Sequence, residues 1–93
     1  MVTKKLTKGC CGKQMVIFDS EKPIRKQHID LFKEAGFNIT DAYVKSGLFY
    51  AKKDGMIATS TLGIRNVNIK CSGPKCEDVI DEFEKILIQI NEE

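Results

Sequence analysis

The 93-residue chain predicts an α+β domain with the order β-α-β-β-β-β-α, an antiparallel five-stranded sheet with two helices on one face. Three observations lead to it. Apolar residues recur at helical spacing in Ile24–Ala35 and again in Val79–Ile90. Between these stretches the spacing drops to two, the period of strands. Glycine-containing turns, Ser46-Gly47, Asp54-Gly55 and Leu62-Gly63, divide that middle part at strand-length intervals.

The first strand is predicted over Gln14–Asp19, a run of β-branched and aromatic residues bounded by polar ones. Both of its faces are apolar, which suits a central strand or one at a subunit contact. Pro23 fits the first position of the first helix, whose face holds Ile24, His28, Leu31, Phe32 and Ala35, with Gly36 as its cap. The remaining strands are read as Asn38–Lys45, Leu48–Lys53, Met56–Thr61 and Ile64–Cys71. Asp54-Gly55 is the clearest hairpin signal, because a type I′ turn needs positive φ at both central residues. Glu77, Asp78, Asp81 and Glu82 crowd the start of the second helix, where carboxylates suit the helix dipole. Its apolar stripe is Val79, Ile80, Phe83, Ile86, Leu87 and Ile90. The reading is one domain over 1–93, with 1–8 as a flexible tail.

Composition narrows the functional classes. At 42 % hydrophobic and 30 % charged, the chain is globular rather than disordered. Its apolar runs are too short for a transmembrane helix. The basic start Met1–Lys8 lacks the apolar stretch of a signal peptide, so the expected location is cytoplasmic or otherwise intracellular, with no membrane partner. The net charge of +2 conceals a polarised chain. Lys4, Lys5, Lys8, Lys13, Lys22, Arg25 and Lys26 make the first part basic. Glu77, Asp78, Asp81, Glu82, Glu84, Glu92 and Glu93 make the end acidic against Lys85 alone. A phosphate-bearing partner would avoid the acidic end.

The element order, together with Ile69-Lys-Cys71-Ser-Gly-Pro-Lys-Cys76-Glu-Asp, resembles one repeat of the TATA-box-binding protein fold. That stretch looks like the family's last strand, its Cys-Thr-Gly-Ala-Lys-Ser turn and its Glu-rich helix start. The chain departs from the family in having a single repeat, and Asp54-Gly55 and Leu62-Gly63 stand where the family places a DNA-wedging phenylalanine pair. The resemblance implies the fold and, beyond it, a homodimer that rebuilds a continuous saddle through strand Gln14–Asp19. Fold alone does not convey function.

Cys10, Cys11, Cys71 and Cys76 form two clusters. If the first and last strands are antiparallel neighbours, as in the resembled fold, all four sulfurs converge at one end of the sheet. Four thiolates in reach of one ion would make a structural zinc site, with Gly9, Gly12 and Gly73 allowing a tight backbone. The alternatives are a bridge from Cys10 or Cys11 to Cys71 or Cys76 under oxidation, or free thiols with Cys71 as a small core residue beside Val67 and Ile69.

His28, the one histidine, falls on the apolar stripe of the first helix and reads as a partly buried residue with one local hydrogen bond. No convergent acid, base and nucleophile set emerges, so the chain is expected not to be an enzyme. Asn38-Ile39-Thr40 matches a glycosylation sequon that is incidental without a secretory signal. The last strand is more informative. Val67, Ile69 and Cys71 point one way, while Asn66, Asn68 and Lys70 point the other. Lys52 or Lys53, with Thr59 and Thr61 or Ser60, would add to the polar face, and a bulge near Asn66 would bring Arg65 there. The contact residues predicted on this face are Lys52, Arg65, Asn66, Asn68 and Lys70, groups able to hydrogen-bond phosphates and base edges.

The leading expectation is a small non-catalytic binding module whose open sheet face contacts nucleic acid or a protein partner. The second is a structural, assembly or inhibitor protein, such as a viral or phage accessory component. The third is a cysteine-based redox or zinc-stabilised adaptor.

Overall fold

A computed structural model describes residues 2–8 and 13–92, with side chains over 2–5 and 15–92. Its elements are β1 (Val2–Lys8), β2 (Lys13–Ser20), a 3-10 turn (Lys26–His28), α1 (Ile29–Glu34), β3 (Asn38–Ile39), α2 (Asp41–Lys45), β4 (Leu48–Lys53), β5 (Met56–Thr61), β6 (Asn66–Ser72) and α3 (Cys76–Asn91). The strands form one sheet in the order β1-β2-β6-β5-β4-β3, with antiparallel pairing at every step. The α+β class and antiparallel sheet agree with the sequence reading; among the described residues the sheet has six strands rather than five, and there are three α-helices rather than two.

Alternation along the strands builds the core. Val16 and Phe18 of β2, Phe49 and Ala51 of β4, Met56 and Ala58 of β5, and Val67, Ile69 and Cys71 of β6 are buried on one face. Helix α3 lays Val79, Ile80, Phe83, Ile86, Leu87 and Ile90 onto that face, the whole stripe expected of it. All five phenylalanines of the chain meet there. Phe83 lies 6.0 Å from Phe18, 5.1 Å from Phe32, 5.8 Å from Phe37 and 6.1 Å from Phe49, centroid to centroid. Such aromatic contacts add to the area they bury.

Three elements differ from expectation. Val2–Lys8, read as a tail, is the edge strand β1, paired from Val2↔Ser20 to Lys8↔Gln14. Lysines suit an edge strand because their charge discourages further pairing. The expected helix from Pro23 begins only at the 3-10 turn. Ile24 is buried in a stretch without regular structure, and His28 Nδ1 accepts from Arg25 N at 3.1 Å. The expected strand Asn38–Lys45 pairs only at Asn38↔Lys52 and Ile39↔Ala51. Thr40 then starts α2, its carbonyl accepting from Tyr43 N and Val44 N.

The end of α3 is fastened to the end of β2 by a polar node. Asn91 Nδ2 donates to Ser20 Oγ and to Leu87 O, both at 2.7 Å. Its Oδ1 accepts from Lys22 N at 2.9 Å, and Ser20 Oγ donates to Lys22 O at 2.6 Å. Ser20 is one of two buried polar side chains among the described residues, the other being His28. No helix among the described residues is long and apolar enough to cross a membrane.

Candidate functional site

Helices α1 and α3 cover the core face, and the other face of the sheet is exposed among the described residues. The strand registers arrange its side chains into rows that cross the strands. One row runs Asn38, Lys52, Ile57, Lys70 and Met15, each the Cα partner of the next. The next row runs Tyr50, Thr59, Asn68, Ile17 and Lys5. A further pairing sets Asn66 beside Asp19 and Asp19 beside Thr3. Lys52, Thr59, Asn66, Asn68 and Lys70 are exposed, while Ile17, Tyr50 and Ile57 are half-buried. Neighbouring strands lie about 4.8 Å apart and successive residues on one face about 6.7 Å apart. Lys52 and Lys70, with Ile57 between them, therefore have backbones about 10 Å apart.

An aromatic pair stands at the far end of the second row. Helix α2 packs beside β4 and brings Tyr43 onto Tyr50, with ring centroids 5.2 Å apart and planes inclined by 34°. Tyr43 retains 44 % of its surface to solvent. Lys52 Nζ lies 5.9 Å from the Tyr50 centroid, within range of a cation–π contact. At the hairpin end, Asn38, Lys52, Asp54 and Ile57 line a shallow pocket of about 220 Å³. A second hollow of about 330 Å³, between Val2 and Ile88, lies on the helix side and shares no residue with this face.

The described ionic side chains of the open face and of the hairpin end beside it are Lys5, Lys52 and Lys70 against Asp19 and Asp54. Helix α3, on the opposite side, exposes Glu77, Asp78, Asp81 and Glu82. Of the basic first part, Lys5 reaches the open face, while Lys4 pairs with the buried Phe18 and so faces the helix side; the acidic end forms α3.

Of the predicted contact residues, Lys52, Asn66, Asn68 and Lys70 share the open face. Arg65 does not join them, because it precedes β6. Its Nε donates to Glu21 O at 3.2 Å, and its carbonyl accepts from Ser20 N at 3.0 Å. No bulge turns it outward; it ties the loop to the end of β2. Lys53 is likewise turned to the helix side, donating to Ala35 O at 2.7 Å and pairing with Glu82. The residues that sequence reasoning misses are Tyr43, Tyr50 and Lys5. Tyr43 falls in an expected strand, Tyr50 has no face assigned to it, and Lys5 falls in the expected tail.

The cysteines divide. Cys71 and Cys76 are joined by a disulfide across a Cα–Cα distance of 5.8 Å. This pairing is not among those expected, which all start from Cys10 or Cys11. The intervening Ser-Gly-Pro-Lys turn, with Gly73 at φ 112°, folds the chain back far enough to bring the two together. Sulfurs bonded to one another have no thiolate to offer a metal, so in this form they do not act as ligands. Cys10 and Cys11, the other half of the expected zinc set, lie outside the described residues. Among the described residues, no three His, Cys, Asp or Glu side chains gather as a metal ion would need.

The adjacency that cysteine convergence requires is present, with Lys13 opposite Ser72 and Gln14 opposite Cys71. The expected homodimer contact through Gln14–Asp19 meets an obstacle. Strand β2 is flanked by β1 on one side and β6 on the other, so neither of its edges is open to a second copy.

Comparison with family models, with curated proteins and with solved structures finds no match to this chain.

Proposed function

We propose that the protein is a small, non-catalytic binding module that takes nucleic acid on its open sheet face. One observation carries this reading: Lys5, Lys52 and Lys70 lie on that face with Asn66, Asn68 and Thr59, against Asp19 and, at the hairpin end, Asp54, while the acids of α3 lie behind it. A polyanion approaching such a molecule is drawn to the sheet and repelled from the helix. Once there it meets Asn66, Asn68 and Thr59, whose amides and hydroxyl can donate to phosphate oxygens or read base edges. The groups are spread over several strands at sheet spacing, which suits an extended ligand. The likeness of the Ile69–Asp78 stretch to the TATA-box-binding protein fold is compatible with the same use of a sheet face.

Binding of a fluorescent oligonucleotide followed by anisotropy over a salt series tests this reading. Neutralised phosphates release counterions, so affinity falls with salt at a slope set by the number of cationic contacts. Replacing both Lys52 and Lys70 by Ala is expected to weaken binding and reduce that slope by about 2, one for each lysine removed. Lys26→Ala, in the 3-10 turn on the helix side, is expected to leave both unchanged. A double variant that binds with the parental slope, or a parent protein that binds no oligonucleotide at low salt, would overturn the reading. The structural and assembly alternative would then be favoured, and isolation of the chain with one stoichiometric protein partner would support it.

A further inference from the structure

Resting on the nucleic-acid reading above, we propose that the ligand is a single strand rather than a duplex, with one base stacked on the Tyr43–Tyr50 pair. The tyrosines supply the first argument. Their rings meet at 5.2 Å at the end of a row on the open face, and Tyr43 is 44 % exposed. A duplex keeps the faces of its bases inside the stack, so an outward-facing aromatic ring gains little from one. An unpaired base offers its π-face and stacks on such a ring whatever its identity.

The division of labour between the two rows supplies the second argument. Lys52 and Lys70 stand in one row, and Tyr50, Thr59, Asn68 and Ile17 stand in the row beside it. A backbone laid along the lysines places its bases over the neighbouring row. There the first stacks on Tyr50, and the next lie over Thr59, Asn68 and the half-buried Ile17. Lys5 closes that row at the β1 end. The path crosses the strands from β4 to β1, about 19 Å at sheet spacing. That length accommodates a site of about four nucleotides, the lower end of the range for single-strand binders.

The hairpin tip supplies the third argument. Sheet proteins that bend a duplex often drive apolar side chains between base steps. Here the tip between β4 and β5 is Asp54-Gly55, which offers a carboxylate and no wedge.

The test compares an oligothymidylate of about twelve nucleotides, within the range of single-strand sites, with a duplex of the same length at one low salt concentration. The single strand is expected to bind about tenfold or more tightly than the duplex. Tyr50→Ala is expected to weaken single-strand binding about tenfold while leaving the salt slope unchanged; Tyr50→Phe keeps the ring and the affinity. Tyr43→Ala, at a more exposed position outside the sheet, is the second variant and is expected to weaken binding in the same direction. Circular dichroism of each variant confirms that the fold is retained. Equal binding of duplex and single strand would overturn the proposal, as would parental affinity in both tyrosine-to-alanine variants. If the lysine variants still weaken binding, either result leaves the nucleic-acid reading standing. No binding of either probe overturns that reading and this proposal together.

Discussion

Gly55 follows Asp54 in the β4–β5 turn, and both residues have positive φ, 48° for Asp54 and 85° for Gly55. This is the type I′ geometry that matches the twist of the flanking strands. A Cβ on Gly55 would also collide with the carbonyl oxygen of Ser72, because the tip docks on the end of β6, where Ser72 N donates to Gly55 O at 3.2 Å. Gly55→Ala is therefore expected to destabilise the fold by at least about 1–2 kcal/mol, the cost of a left-handed non-glycine residue, seen as a lower midpoint in urea. An unchanged midpoint would mean that the tip does not dock as described. The turn is legible in the sequence because its chemistry is local: Asp-Gly between two alternating runs has few other uses. The close approach to Ser72 is not legible, since it depends on a residue distant in sequence. The same limit applies to Lys52 and Lys53. Only strand parity, read against a known core face, tells which lysine meets solvent and which reaches Ala35 and Glu82.

Strands β4 and β5 follow their expected bounds, as does the apolar stripe of α3, because each has a strong period and a glycine or a cap at its ends. The elements that depart from expectation have weaker or mixed signals. In Asn38–Lys45, β-branched and aromatic residues argue for a strand, while Thr40 and Asp41 form the polar start of a helix. Pairing with β4 lasts two residues before the helix wins. Val2–Lys8 is obscured by its lysines, although Val2, Thr3 and Thr7 are residues that strands favour. Its incorporation gives the open face Lys5 and closes one edge of β2. At the opposite junction, the Cys71–Cys76 disulfide staples the end of β6 to the first residue of α3. The loop it closes is short, so its contribution lies near the low end for such bonds, about 2 kcal/mol. Adding dithiothreitol is expected to lower the unfolding free energy of the parent protein by that amount, seen as a lower urea midpoint, and to leave the midpoint of Cys76→Ser unchanged. Equal midpoints for the parent with and without reductant would show that the bond is not formed in solution.

At the scale of the molecule, the sheet separates two chemistries. One side buries the phenylalanine cluster under α1 and α3 and exposes the carboxylates of α3. The other carries lysines, amides, hydroxyls and a tyrosine pair on a grid set by strand register. The sequence shows half of this plan. The alternation in β6 predicts that Asn66, Asn68 and Lys70 share a face, and the charge count predicts two poles. It does not show that Lys5, Lys52 and Lys70 share a face opposite the carboxylates of α3, or that Tyr43 and Tyr50 meet, because both depend on how the elements stack. The central claim is that nucleic acid occupies the open face. Its most direct test is a titration of isotope-labelled protein with an oligothymidylate, followed amide by amide by nuclear magnetic resonance. Shifts are expected to concentrate on β4, β5 and β6 around Tyr50, Lys52, Thr59, Asn68 and Lys70, with α3 unmoved. Shifts confined to α1 and α3, or none at saturating oligonucleotide, would contradict the claim.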